Sequence, residues 1–223
     1  MSVKENLLKI KEQIGNNNVK IIAVTKYAKW DQIFEACSFG IYDFGESYVQ
    51  DALEKLSQNY QGQKLENLIR WHFIGRLQKN KAKFIVGRFF LIHSVDSTEL
   101  AKIINKIAVQ KEVKQNILLQ VNLTEEPQKG GFNKDDLKKS IKELLSFPNI
   151  NIQGLMTIGP KTENTDEIRK CFLNLKDIKS SLEEEHNISL NELSMGMSND
   201  YKLAIECGST MIRIGRILFK KEE

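Results

Sequence analysis

A lysine that closes one β-branched run, an arginine inside another near the far end of the chain, and two glycine-bearing segments are the residues whose chemistry fits together. Lys26 ends VKIIAVTK, where strand alternation puts it on the face of Ile22 and Val24. If that face lines an interior, an ammonium is costly to keep charged there, and the neutral amine attacks aldehydes. The plainer reading is a strand-ending lysine that reaches solvent. Arg213 lies in TMIRIG with Met211 on its face, while Ile212 and Ile214 take the other. An interior arginine needs a partner. Ser194-Met195-Gly196-Met197-Ser198 reads as a loop after the seventh strand, and Gly215 follows the eighth. Glycine lets an anion approach backbone N–H groups, the Ser198 hydroxyl donates, and a helix starting near Asn199 adds its positive end. A flexible turn is the alternative. An imine-forming lysine, a phosphate cup and an interior arginine together describe a site for a phosphorylated aldehyde, and pyridoxal 5′-phosphate (PLP) fits all three.

These residues need a scaffold that brings the ends of the chain together. Eight strand-like runs recur: VKIIAVTK, YDFGE, LIRWHFIG, FLIHSV, NILLQVNL, NIQGLMTI, ELSMGM and TMIRIG. Helical stripes lie between them, such as Leu100, Ile103, Ile104 and Ile107, or Leu137, Ile141, Leu144 and Leu145. Asp96 with Glu99, and Asn133 before Lys134-Asp135-Asp136, read as N-terminal caps. A charged helix is expected from about Thr165 to Glu185. Alternation of this kind predicts parallel strands with right-handed crossovers. Eight units without Gly-x-Gly-x-x-Gly after the first strand favour a single (β/α)₈ TIM barrel over residues 1–223. Its first and eighth strands are neighbours, which brings Lys26 and Arg213 to one seam.

Composition removes other classes. The 223 residues are 41% hydrophobic and 28% charged, too apolar for a disordered chain. No apolar run approaches the ~18 residues of a membrane span, and the charged first helix lacks a signal-peptide core, so a cytoplasmic protein is expected. The net charge of +4 is modest, and Lys79, Lys81, Lys83 and Arg88 lack interleaved aromatics, which argues for a solvated face over nucleic-acid binding. Cys37, Cys171 and Cys207 show neither metal nor redox spacing. No metal site and a monomer are expected.

The blocks AVTK (from Ala23), DFGESYVQDAL (from Asp43), WHFIGRLQKNK (from Trp71), IHSVDS (from Ile92), QVNL (from Gln120), GLMTI (from Gly154), LSMGMSNDYKLAI (from Leu193) and GSTMIRIG (from Gly208) run in order across nearly the whole chain. Together they resemble the pyridoxal phosphate homeostasis protein family. The resemblance implies a barrel like the N-terminal domain of alanine racemase, of the fold type III PLP proteins, with Lys26 as the Schiff-base lysine. It also implies Arg213 facing the pyridine nitrogen, with Ser198 and the backbone of Gly215 and Arg216 on the phosphate. An arginine there leaves that nitrogen unprotonated and the ring a weaker electron sink, which suits vitamin B6 homeostasis better than turnover. Two positions depart from the family pattern. Ser47 replaces the usual asparagine after Phe-Gly-Glu, and Arg216 replaces a small hydroxyl residue. The tail from Lys220 is expected to fray.

Weaker candidates are His72 and His93, each either pocket-lining or a satisfied core imidazole, and Met156, Met195 and Gly196 near the cofactor. Lys129 reads as a solvated loop lysine. The competing functions are a weak PLP-dependent racemase, which would need a second base opposite the lysine, and a class I aldolase forming its imine with a sugar phosphate. A carrier that hands PLP to apo-enzymes, with no catalytic residue of its own, is the third.

Overall fold

The computed structural model describes residues 2–26, 28–57, 59–60, 63–64, 68–124 and 126–219; the expected fraying from Lys220 falls outside them. The first helix, α1 (Val3–Ile14), starts with a capping box in which the Ser2 side chain accepts from the Glu5 N–H and Glu5 reaches back to the Ser2 N–H. It buries Val3, Leu7, Ile10 and Ile14 along one stripe. The elements that follow are β1 (Lys20–Val24), α2 (Trp30–Ser38), β2 (Asp43–Glu46), α3 (Val49–Leu56), β3 (Asn59–Tyr60), β4 (Gln63–Lys64), β5 (Arg70–Phe73), α4 (Ala82–Ile85) and β6 (Leu91–Val95). Then come α5 (Thr98–Gln110), β7 (Gln115–Gln120), α6 (Lys134–Leu145), β8 (Ile150–Met156), α7 (Thr165–His186), β9 (Glu192–Met197), α8 (Tyr201–Glu206), β10 (Met211–Ile214) and α9 (Arg216–Phe219).

All eight expected runs form strands, and these close in the order β1-β10-β9-β8-β7-β6-β5-β2 with every pairing parallel. The antiparallel pair β3-β4 is an addition outside the barrel. Closure removes both sheet edges, and it needs a helix over every strand seam. Because α9 is a single turn, α1 packs against α2, α8 and α9 and covers the seam between first and last strands. The Asn6 side chain ties it to the Leu218 carbonyl at 3.0 Å.

Two apolar layers result. Ile22, Leu91, Leu118, Met156 and Met211 cluster inside the barrel. A far larger cluster between strands and helices includes Phe44, Trp71, Phe73, Ile212 and Ile214. The Leu100 stripe packs as expected, whereas Leu145 is 39% exposed, one residue past the buried Leu144. Asn133 caps α6 through the Asp136 N–H. The cap of α5 is Ser97 instead of Asp96, its hydroxyl accepting from the Leu100 N–H. Among the described residues no helix is long and apolar enough to cross a membrane.

Candidate functional site

Strand β1 ends at Val24, and Lys26 follows two residues later at the C-terminal mouth, the end where barrels carry their chemistry. Its ammonium lies 4.8 Å from the centre of the Tyr48 ring, which rises from the end of β2. A cation over an aromatic face is held in place without being neutralised. Behind Lys26, Glu46 points outward between strand and helix, fully buried, and accepts from the Thr25 hydroxyl and the Lys55 ammonium. Lys55 also donates to the Thr25 carbonyl at 2.8 Å, so this clamp fixes the backbone immediately before Lys26.

Strand β10 lies beside β1 with Arg213 level with Ile22, so Arg213 shares the seam with Lys26 at a greater depth. Arg213 is 5% exposed and donates to the Ser194 hydroxyl at 2.6 Å and to the Thr157 carbonyl at 2.9 Å. These are the partners an interior arginine requires. Burial pushes the guanidinium down to about 10, which leaves it a cation at neutral pH.

Gly215 follows at the mouth, where an added Cβ would lie 3.2 Å from both the Cβ and the carbonyl oxygen of Val24. A side chain there would have to push Val24 back by a few tenths of an ångström, so glycine eases the close approach of β10 to β1. Gly196 has φ +93°, and a Cβ there would come within 2.6 Å of the Ala204 methyl. Ser198 and Arg216 both line a cavity of about 690 Å³ that extends toward Lys9 and Gln13 of α1.

Several expectations change in detail. Ser194 to Met197 belong to β9, so only Ser198 lies in the turn, and α8 begins at Tyr201 with Asp200 at its N-cap. Strand alternation therefore sets Met195 opposite Ser194, and Met195 packs with the helices, whereas Met156 lies in the barrel interior. Ser47 is partly buried at the end of β2, and its carbonyl oxygen lies where a Cβ on Gly75 would be. Lys129 is not solvated: it pairs with Glu126 and donates to the Gly159 carbonyl, both at 2.6 Å. The Glu46–Lys55 pair is not among the expectations from sequence. Its signal was a carboxylate on the helix-facing side of a strand, which demands a cation from the next helix.

His72 and His93 are both fully buried and bonded to each other at 2.9 Å. His72 reaches Asp43 at 3.0 Å, and two guanidinium N–H groups of Arg70 grip the Asp43 carboxylate at 2.7 and 2.6 Å. Burial would raise the Asp43 carboxyl, but hydrogen bonds from Arg70 and His72 outweigh it and hold it far below the usual carboxylate range. Its folded value lies below the unfolded one of about 3.9, so the stabilisation is complete above that pH and fades as acid titrates the folded carboxylate. Asp43→Asn should cost about 1–3 kcal/mol at pH 7, with the gap to wild type narrowing below about pH 4. Urea unfolding at pH 7 and pH 3 measures this, and an equal gap at both would refute the assignment.

The model of the alanine racemase N-terminal domain family matches residues 1–223. A pyridoxal phosphate homeostasis protein of Aquifex aeolicus is 39% identical and aligns over 98% of both chains. The chain belongs to the pyridoxal phosphate homeostasis protein family. A second member, from Synechocystis, is 41% identical over 91% of each chain. PipY of Synechococcus elongatus, whose structure was solved with PLP bound, superposes with a TM-score of 0.90 at 34% identity, covering 98% of this chain and 100% of that one. Alanine racemase of Clostridium difficile shares the barrel, with a TM-score of 0.77 at 16% identity, and the match covers 56% of its chain. At that identity the likeness is one of fold alone.

Proposed function

We propose that this protein binds PLP, holds it as a Schiff base on Lys26, and serves intracellular vitamin B6 homeostasis as a carrier without turnover. The observation that carries the reading is the β1–β10 seam, where an amine at the mouth stands above a buried, anchored arginine and beside a glycine-lined strand end. Condensation of the Lys26 amine with the cofactor's aldehyde forms one C=N bond and releases one water. Bound PLP would supply an electron sink. The chain's own residues temper it: Arg213 stays a cation and donor, so it cannot accept the pyridine proton, and a nitrogen facing it stays neutral.

Ser198, Gly196, Gly215 and the Arg216 backbone would hold the phosphate, and the exposed Arg216 side chain adds a cation where the family carries a hydroxyl. Ser47 and Met156 would border the ring. Support for a homeostasis role comes from the relatives named above and from PLP in the PipY structure. Transfer would be to apo-enzymes that need PLP. We place the protein in the cytoplasm as a monomer, which cell fractionation and sedimentation velocity test.

Purified protein incubated with PLP should turn yellow, and borohydride should then fix the label on the peptide containing Lys26. Passage of the cofactor to an apo-acceptor, with no interconversion of D- and L-alanine, supports the carrier; rapid racemisation would overturn it. A protein that stays colourless and unlabelled in excess PLP would sink the whole reading.

A further inference from the structure

Inside the barrel, five polar side chains on five strands are joined end to end. Asp43 on β2 meets His72 on β5, His72 meets His93 on β6, His93 Nδ1 meets the Ser194 hydroxyl of β9 at 2.9 Å, and Ser194 meets Arg213 on β10. The step from His93 to Ser194 crosses the lumen, because β7 and β8 lie between their strands. Around the chain are Ile22, Leu91, Leu118, Met156 and Met211.

Proton bookkeeping gives this chain one direction. The Asp43 carboxylate only accepts, so His72 Nε2 carries the proton and, in a neutral ring, Nδ1 accepts. His93 Nε2 must then donate to His72, leaving its Nδ1 as an acceptor for the Ser194 O–H. Ser194, with its proton committed, offers a lone pair to the Arg213 N–H. Every member is satisfied, with a cation at one end and an anion at the other, and the anion is gripped by Arg70 at the opposite mouth. Polar networks in low dielectric are stabilising only when complete in this way.

We infer that Asp43, His72, His93 and Ser194 are positioning residues that fix the Arg213 guanidinium, and so tune the cofactor end of the site from the far mouth of the barrel. The inference rests on the proposed PLP site for its meaning, but the chain itself can be read in cofactor-free protein. Protonating His72 would set its Nδ1–H against the Nε2–H of His93, and protonating His93 would set its Nδ1–H against the Ser194 O–H; either breaks the order. Burial opposes this at both rings, and the nearby cations Arg70, Lys20 and Arg213 oppose it further, whereas Asp43 favours a charged His72. Lys20 at the start of β1 is itself paired with Glu192 of β9 at 2.5 Å.

The chain holds three histidines, which makes the test direct. Long-range proton–nitrogen spectra of the cofactor-free protein should find His72 and His93 as neutral Nε2–H tautomers from pH 8 to pH 5. A cationic ring or an Nδ1–H tautomer at either buried position overturns the inference. With Asp43→Asn the His93 signals should shift although residue 43 does not touch His93. With Ser194→Ala, PLP affinity should fall about tenfold and the visible maximum of bound cofactor should move. If wild-type protein binds PLP while neither variant alters the His93 signals, the affinity or the spectrum, the chain does not act on the site. If wild-type protein takes up no PLP, the functional reading fails instead, and the cofactor-free spectra still decide the chain.

Discussion

Lys26→Ala is expected to abolish covalent capture of PLP, with borohydride-fixed label falling by more than about a hundredfold, because Lys26 supplies the amine at the mouth of the β1–β10 seam. The lysine that competes is Lys55, whose ammonium donates to the carbonyl of the adjacent Thr25. It is bound to the buried Glu46 as well, so turning to the cofactor would cost it both partners. Lys26→Arg separates charge from chemistry, since a guanidinium retains the cation over the Tyr48 ring but does not condense with the aldehyde under these conditions. Both variants should keep weakened, non-covalent affinity through Arg213 and the proposed phosphate-holding residues, detectable by calorimetry. Fold should be retained, because Lys26 lies beyond the end of β1 and is only partly buried. Label of wild-type yield on another lysine in Lys26→Ala would disprove the assignment.

Lys55→Met should be the most destabilising single change near the site, by about 3–5 kcal/mol. The Glu46 side chain is 0% exposed, and its Oε2 has no hydrogen-bond partner among the described residues. Removing the ammonium leaves a carboxylate in the strand–helix layer with the Thr25 hydroxyl as its remaining bonded partner. An uncompensated buried charge costs far more than a complete pair contributes. The midpoint of urea unfolding should fall with an unchanged slope. Lys55→Met with Glu46→Leu should recover most of the loss, because an apolar pair of similar volume replaces the ion pair. A single variant within about 1 kcal/mol of wild type would show that water reaches the carboxylate. Since the clamp holds Thr25, the single variant should also slow label uptake at Lys26.

The local elements were legible because they depend on short-range periodicity. β-Branched runs of four to eight residues between turn signals mark buried strands whatever surrounds them. Period-two alternation then correctly turned Arg213 and Met211 inward and Ile212 and Ile214 outward. The run ELSMGM and the glycine-bearing loop overlap at Ser194 to Met197, and the structure assigns those residues to the strand. Alternation along that strand sets Met195 opposite Ser194, toward the helices.

By itself, then, the sequence determined the eight strands, the barrel they form, the lysine at its mouth and the arginine and glycines of the neighbouring strands. Each of these follows from residue type, spacing or an ordered run of family motifs. Only the tertiary structure decided the partners. Asp43, His72, His93, Ser194 and Arg213 come from five strands scattered through the chain, and the His93–Ser194 bond spans a lumen whose width no local pattern encodes. Which imidazole is a satisfied core residue and which lines a pocket depends on what stands opposite across that lumen. Barrel closure sets this globally, through strand tilt and stagger.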